Sequence, residues 1–247
     1  MRVSASTLLA LPLFAASAHA QFEQSQDQFQ TYLDKLVSYL PNTNRVDAAD
    51  AAEAKTGEKK MSILTLDNWQ QTLYEPVAPG ATQPEEWWVL ITGRNKTCFG
   101  RCDGVDAAYN KTAIEFATLP ESEVPHMAYV NCDDQPILCN IFSVGPASLW
   151  AIDMLPPGNE INIWGKRLNT TTTTMQDFLD IHADKERSEL RPVTHIFHPF
   201  NGWFAENGVS VPVAYILWFF TVIPNWSVML LVSFASRRMM NRRMPGQ

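Results

Sequence analysis

The chain has 247 residues, with 19 basic and 26 acidic side chains, so its formal net charge at pH 7 is −7. A nucleic-acid-binding surface needs a concentration of basic residues, so this charge balance argues against a nucleic acid as partner. The sequence contains no glycine-rich phosphate loop, no G-x-S-x-G and no H-E-x-x-H, and no cofactor is expected.

The first 20 residues have the pattern of a secretory signal peptide. Arg2 precedes the apolar run LLALPLFAA, and the sequence AHA is typical of a cleavage site before Gln21. An uncleaved membrane anchor is the alternative, but the run is short for a bilayer. We therefore expect residues 1–20 to be removed as the chain enters the secretory pathway.

Residues 21–60 contain one apolar stripe at helical spacing, which ends before Pro41. The stripe comprises Phe29, Tyr32, Leu33, Leu36, Val37 and Leu40. It predicts an amphipathic helix, followed by a solvated linker that is rich in alanine and charged residues. We expect the stripe to dock onto the next domain, and a helix that binds a partner is the alternative.

Strand and helix patterns alternate over residues 61–183. The runs MSILTL, EEWWVLITG and HMAYVNC predict strands, and ASLWAIDM with INIWGKRL predicts a hairpin across the turn LPPGNE. The segments DNWQQTL, DAAYNKTAIEFATL, QPILCNIF and TMQDFLDIHADK predict helices. This alternation predicts one α/β domain, long enough to have its own core.

Residues 184–210 are expected to be a juxtamembrane linker. Their end, HIFHPFNGWF, gathers aromatic residues of the kind that lie at the level of lipid headgroups. A metal site built from His195 and His198 is the alternative. Because no cysteine or carboxylate accompanies the two histidines, we expect no metal there.

Residues 211–236 contain no charged side chain and are strongly apolar. About 20 such residues span a bilayer, so we expect a single transmembrane helix, kinked at Pro224 and Asn225. A buried core helix is the alternative.

Residues 237–247 form a basic tail that holds Arg237, Arg238, Arg242 and Arg243. The positive-inside rule places this tail in the cytosol and the amino-terminal body in the lumen, as in a single-pass type I membrane protein. The arginines could also contact anionic lipid or act as a sorting signal.

All four cysteines, Cys98, Cys102, Cys132 and Cys139, precede the apolar segment. An even number of cysteines in an oxidising compartment favours disulfides, and four cysteines allow three connectivities. A zinc site of four thiolates is the alternative.

Three Asn-x-Thr sequences lie in the expected lumenal part, at Asn95, Asn110 and Asn169. Behind a signal peptide, each is a candidate site for an N-linked glycan on an exposed position.

Several local motifs of residues 61–183 resemble those of one family. LTLDNW resembles the L-T-x-x-N-F motif of protein disulfide isomerase domains, and the pair CFGRC follows an apolar strand. VNCDDQPILCNIFSVGPASLW resembles the family pattern V-D-C-x(6)-C-x-x-x-x-V-x-x-x-P-T-L, and GKR followed by Phe178 resembles its closing G-x-R…F. The chain thus resembles the thioredoxin-like, protein disulfide isomerase family.

The order of signal peptide, domain, apolar segment and basic tail is similar to that of the single-span transmembrane thioredoxin-related proteins of the endoplasmic reticulum. The thioredoxin-like subunit of oligosaccharyltransferase is a second relative, which carries several spans. The resemblance implies a thioredoxin-like fold, in which helices flank a central mixed sheet.

The resemblance also implies roles for particular residues. Cys98 would be the nucleophile at a helix start and Cys102 the resolving cysteine, with Gly100 easing the turn between them. Pro146 would be the cis-proline that binds extended substrate chains. By the same resemblance, Cys132 and Cys139 would form a structural disulfide.

Two functions follow. The first is thiol–disulfide exchange on secretory or membrane client proteins, by a domain anchored at the lumenal side of the endoplasmic reticulum membrane. The alternative is a redox-inactive binding or scaffold subunit of a translocation, glycosylation or folding complex. The alternative is supported by the extra residue in the C-x-x-x-C pair, by Thr97 in place of the family's tryptophan, and by the missing histidine and buried carboxylate of the family. Ala107 in place of the family's proline is a further departure.

Overall fold

The structure is a computed structural model that describes residues 61–223 and 225–243. The predicted signal peptide (1–20), the predicted amphipathic helix and linker (21–60) and the end of the basic tail lie outside the described residues. Those sequence predictions stay predictions.

The described elements follow one another along the chain as the alternating pattern of strands and helices predicts. They are β1 Ser62–Ile63, α1 Trp69–Tyr74, β2 Glu85–Thr92, α2 Asp103–Phe116, β3 His126–Asn131, α3 Pro136–Phe142, β4 Ser148–Met154, β5 Asn162–Arg167, α4 Met175–Ala183, β6 Arg191–Pro192, α5 Trp203–Glu206, α6 Ser210–Val222 and α7 Asn225–Arg243.

The six strands form one mixed sheet in the order β1-β3-β2-β4-β5-β6. The first three strands are parallel to one another, and β4, β5 and β6 each run antiparallel to the strand before them in the sheet. Val89 lies at the centre, paired with Ala128 of β3 and Trp150 of β4. The sheet and the β4–β5 hairpin confirm the predicted α/β class.

The central strand β2 separates two apolar cores because successive side chains of a strand point to opposite faces. Trp87, Val89 and Ile91 belong to the core that also contains residues of α1 and α3. Trp88 and Leu90 belong to the core under α2 and α4. Each fully buried side chain of this size stabilises the fold by about 1.5–3 kcal/mol, so the sheet is stabilised from both faces.

The segment 184–210, expected to be a linker, is packed onto the domain. Its strand β6 pairs with β5, and Leu190 is buried in the core under α2 and α4. Phe200 packs against Trp69, with 5.4 Å between the ring centroids. The domain therefore continues well past α4.

The apolar segment 211–236 is not a single helix, which corrects the prediction of one transmembrane helix. Helix α6 ends at Val222 and α7 begins at Asn225. The residue before a proline is disfavoured in the helical region, and Ile223 accordingly has φ −68 and ψ 124. Within 61–223 and 225–243, no helix is both long and apolar enough to cross a membrane.

Candidate functional site

The first cysteine pair lies in the connection between β2 and α2. Cys98 and Cys102 form a disulfide with a Cα–Cα distance of 5.9 Å, inside the usual range for such bonds. Cys98 is 7% exposed and Cys102 is fully buried. Ala147 completes a small buried cluster with the two cysteines.

Helix α2 begins after the pair, which corrects the expectation that Cys98 stands at its start. The first helical residue is Asp103, and Cys102 is the cap. Phe99 and Gly100 both have left-handed backbone angles, with φ values of 56 and 68. The extra residue between the cysteines is therefore accommodated in a turn, and Gly100 eases that turn as predicted.

The surroundings of Cys98 are poor for a thiolate. Its backbone N–H already donates a hydrogen bond to the carbonyl oxygen of Arg94 at 3.1 Å, so this donor is not free to stabilise a thiolate. The positive field of a helix start falls on Cys102, and Asp103 and Asp106 place two carboxyl groups in the first turn. The helix therefore contributes little of the stabilisation that activates a catalytic cysteine.

Asp133 holds the loop before Cys98 in place. Its carboxylate accepts hydrogen bonds from the backbone N–H groups of Lys96 and Thr97, each at 2.9 Å, and from the Thr97 hydroxyl at 2.6 Å. Burial raises the pKa of Asp133, but hydrogen bonds from Thr97, Lys96 and Arg94 outweigh it and leave the pKa below its ordinary value.

The second pair connects strand β3 to helix α3. Cys132 and Cys139 form a disulfide with a Cα–Cα distance of 5.7 Å, and both are buried. The structure thus selects one of the three possible connectivities, the one that the family resemblance implies. Because Asp133 follows Cys132 directly, the turn closed by the second disulfide also carries the carboxylate that anchors the first.

Pro146 lies between α3 and β4, next to the cysteine pair through Ala147. The residues 61–223 and 225–243 contain no cis peptide bond, so the expectation of a cis bond before Pro146 is wrong. Ala147 instead turns the chain into β4 with a left-handed φ of 58. A role of Pro146 in substrate binding stays a prediction.

Two features of this site were not expected from the sequence. Asp133 is one of many scattered carboxylates, and only the fold brings it beside residues 95–97. Phe99 is 79% exposed, although it stands between two buried cysteines. The left-handed φ of Phe99 depends on the turn and has no signal in the sequence.

The three candidate glycan sites differ in exposure. Asn95 and Asn169 are exposed, and the Asn169 side chain accepts hydrogen bonds from the backbone and hydroxyl of Thr171. Asn110 is half-buried within α2, and Thr112 of the same sequence is fully buried. Glycosylation at all three stays a prediction, with Asn95 and Asn169 the more accessible.

The two histidines considered as metal ligands are in different environments. His195 is exposed, whereas His198 is buried and its Nδ1 accepts hydrogen bonds from the backbone N–H groups of Phe200 and Asn201. Burial, and then the proximity of His195, lowers the pKa of His198 to about 4. No group of three or more metal-ligating side chains occurs in the described part of the chain.

A family model, described as tRNA hydrolases-like, Thioredoxin-like domain, matches residues 47–220, more than two thirds of the chain. The chain belongs to this family. The thioredoxin-like fold expected from the motifs is thereby confirmed, and the match continues beyond α4 into α6. No curated protein matches the chain.

Proposed function

We propose that this chain is a thioredoxin-like binding module of the secretory pathway, in which both cysteine pairs are structural disulfides. The observation that carries the proposal is the start of α2 after Cys102 rather than at Cys98. Without the helix start, Cys98 lacks the main source of thiolate stabilisation in this fold.

The same loop presents a candidate contact residue. Phe99 is held in a left-handed conformation, which costs a non-glycine residue about 1 kcal/mol or more, and its ring stays in solvent. The disulfide, the Asp133 carboxylate and the two N–H groups bonded to Arg94 fix this loop. A rigid exposed aromatic side chain is typical of residues that anchor protein–protein contacts.

Thiol–disulfide exchange is the second candidate, and one observation favours it. The first pair lies in the connection that follows the buried strand β2 and precedes α2, and Cys98 is 7% exposed. Arg101 is exposed beside the pair and would favour a thiolate. On this second proposal, Cys98 attacks and Cys102 resolves.

The reduction potential of the first pair separates the two functions. The full chain would be equilibrated in glutathione buffers, alkylated, and its cysteine peptides identified by mass. A potential below about −300 mV is expected for a permanent disulfide. A value of about −180 to −230 mV would instead establish an exchanging dithiol and overturn the proposal.

A trapping experiment gives an independent test. In an exchange enzyme, Cys102→Ser leaves the mixed disulfide between Cys98 and a client unresolved. We expect no such adducts on non-reducing gels, because the pair is structural. Cys139→Ser is the matched control, since it also leaves one cysteine unpaired, and adducts specific to Cys102→Ser would contradict the proposal.

We further propose that the module acts at the membrane of the endoplasmic reticulum, with the amino-terminal domain in the lumen. The signal-peptide pattern, the exposed sequons at Asn95 and Asn169, and the apolar carboxy-terminal segment support this location. Its partners would be lumenal or membrane client proteins, or a translocation, glycosylation or folding complex. In sealed microsomes, we expect the domain to be protected from added protease. We also expect its apparent mass to fall after treatment with a glycosidase.

A further inference from the structure

The last two helices both carry large exposed apolar side chains, which we call together the outer apolar surface. Its members are Ile216, Leu217, Phe219 and Phe220 of α6, and Trp226, Met229, Leu230, Val232 and Phe234 of α7. Each is more than two-fifths exposed. Large exposed apolar patches are rare on soluble monomers and mark interaction sites, so the side chains of this surface need an occupant.

Helix α6 is firmly held by the domain, so its outer side cannot turn inward. Ala214 is buried, and Tyr215 and Trp218 pack against the core of the domain. The Asn140 side chain of α3 donates a hydrogen bond to the carbonyl oxygen of Ala214 at 3.1 Å. At 3.6 residues per turn these positions share one side of α6, and the members of the outer apolar surface occupy the other.

The outer side of α6 offers no free polar side chain for a specific protein partner. From Ile216 to Val222, α6 carries one hydroxyl, on Thr221, and it donates to the carbonyl oxygen of Trp218 at 2.6 Å. Protein interfaces carry about one hydrogen bond per 100–200 Å² between the partners. A surface with bulky apolar groups and internally satisfied polar groups is instead suited to hydrocarbon.

The charged side chains near the outer apolar surface are basic, whereas the whole chain has a negative net charge. The chain has a net charge of −7, but no aspartate or glutamate occurs after Glu206. Arg237 and Arg238 are exposed and stand three and four residues after Phe234, on the same side of α7. Such arginines extend to headgroup level while their aliphatic stems cover apolar surface.

We propose that the outer apolar surface of α6 and α7 binds a bilayer that contains anionic lipid, and that Arg237 and Arg238 contact its headgroups. This inference rests on the proposed membrane location. It adds the residues that contact the bilayer and the class of lipid that they bind. Because α6 is packed on α3, the domain would be held in one orientation on the bilayer rather than on a flexible tether.

Vesicle flotation of the full mature chain tests the proposal. Wild type is expected to float with phosphatidylcholine vesicles, and more strongly when they also contain phosphatidylserine. Arg237→Glu with Arg238→Glu should abolish the gain from phosphatidylserine, since each basic residue near an anionic surface contributes about fivefold in affinity. Phe219→Asp with Phe220→Asp should reduce flotation with both kinds of vesicle.

The matched control is Ile114→Asp with Leu119→Asp, two exposed apolar residues in and just after α2 that are remote in sequence from this surface, and it should float like wild type. An equal thermal unfolding midpoint shows that each variant is folded. Failure of wild type to float, or equal flotation of all variants, would overturn the inference. If the chain forms a dimer in solution, and Phe219→Asp with Phe220→Asp breaks that dimer, the inference is also overturned. The surface would then be an interface with a second copy of the chain.

The reduction potential of the Cys98–Cys102 pair separates this inference from the proposed function. A low potential without flotation would overturn the bilayer contact alone. Flotation with an exchanging dithiol would overturn the structural role of the pair and leave the bilayer contact standing.

Discussion

Asp133 connects the two disulfide-bonded parts of the site through a single carboxylate. It follows Cys132, and it accepts three hydrogen bonds from Lys96 and Thr97 on the loop that leads to Cys98. The position of Gly93 supports this arrangement, because a Cβ there would collide with the Thr97 side chain. The conformation of this loop therefore depends on the Asp133 carboxylate and on the absence of a side chain at Gly93.

Replacing Asp133 with asparagine should destabilise the domain by about 0.5–1.5 kcal/mol, because an amide cannot accept all three hydrogen bonds from Lys96 and Thr97. Urea unfolding followed by circular dichroism measures the loss. Glu160→Gln, at an exposed carboxylate in the turn between β4 and β5, is the control and should change stability by less than about 0.5 kcal/mol.

The same carboxylate gives a pH dependence with a defined sign. Because the folded-state pKa of Asp133 is lowered, its contribution to stability is present above the ordinary pKa of about 4 and is lost as the pH falls through the lower folded value. The Asp133→Asn variant should show a smaller loss of stability over this acidic window. If the unfolding free energy of Asp133→Asn depends on pH as steeply as that of wild type, the assignment of this pH dependence to Asp133 is wrong.

At the scale of elements, the start of α2 decides the chemistry of the first pair. The sequence motifs place a cysteine pair between a strand and a helix, and the structure confirms that order. They do not reveal where the helix begins relative to the two cysteines, because that depends on whether the extra residue enters the helix or the turn. Left-handed Phe99 and Gly100 place it in the turn.

Loss of the Cys132–Cys139 disulfide should destabilise the domain by about 2–3 kcal/mol, as expected for a short loop. Cys132→Ala with Cys139→Ala tests this by urea unfolding. Cys98→Ala with Cys102→Ala is the matched comparison, and its loss should be somewhat smaller because the loop that it closes is shorter. A negligible loss for the second pair would rule out its structural role.

His198 makes the segment between β6 and α5 sensitive to pH. Its folded-state pKa, about 4, is below the ordinary value of 6.5, so the unfolded chain takes up the proton first. Stability should therefore fall as the pH drops from about 6.5 towards 4.

The variant His198→Asn should flatten that pH dependence, since the amide oxygen can accept the same backbone hydrogen bonds without titrating. The free energy of unfolding at several pH values is the measurement. His195→Asn should keep most of the pH dependence, because burial is the larger cause of the lowered pKa of His198. If both variants behave alike, the assignment to His198 is wrong.

At the scale of the whole molecule, the thioredoxin-like domain includes residues beyond α4. Arg187 donates hydrogen bonds to both oxygens of Asp153 on β4, at 3.1 and 2.8 Å, and lies over the Trp164 ring at 4.2 Å. The segment that contains Arg187 also supplies strand β6. These contacts join the end of the domain to its sheet.

A chain that ends at residue 183 should therefore lose at least about 3 kcal/mol of stability, since Leu190 and Phe200 no longer cover apolar surface. A chain that ends at residue 223 keeps β6 and α6 and should unfold at nearly the midpoint of the full chain. Thermal unfolding of the two fragments compares them directly. Equal midpoints would show that the extension beyond α4 contributes nothing.

The sequence by itself determined the α/β class, the hairpin and the thioredoxin-like fold, because these follow from local periodicity and from short motifs. It also identified the four cysteines and the apolar segment as candidate features. Their final arrangement depends on contacts between residues far apart in the chain, which no local pattern contains. Only the tertiary structure decided that Asp133 anchors the loop before Cys98, that α2 begins after Cys102, and that the apolar segment is two helices, the first of them packed on α3.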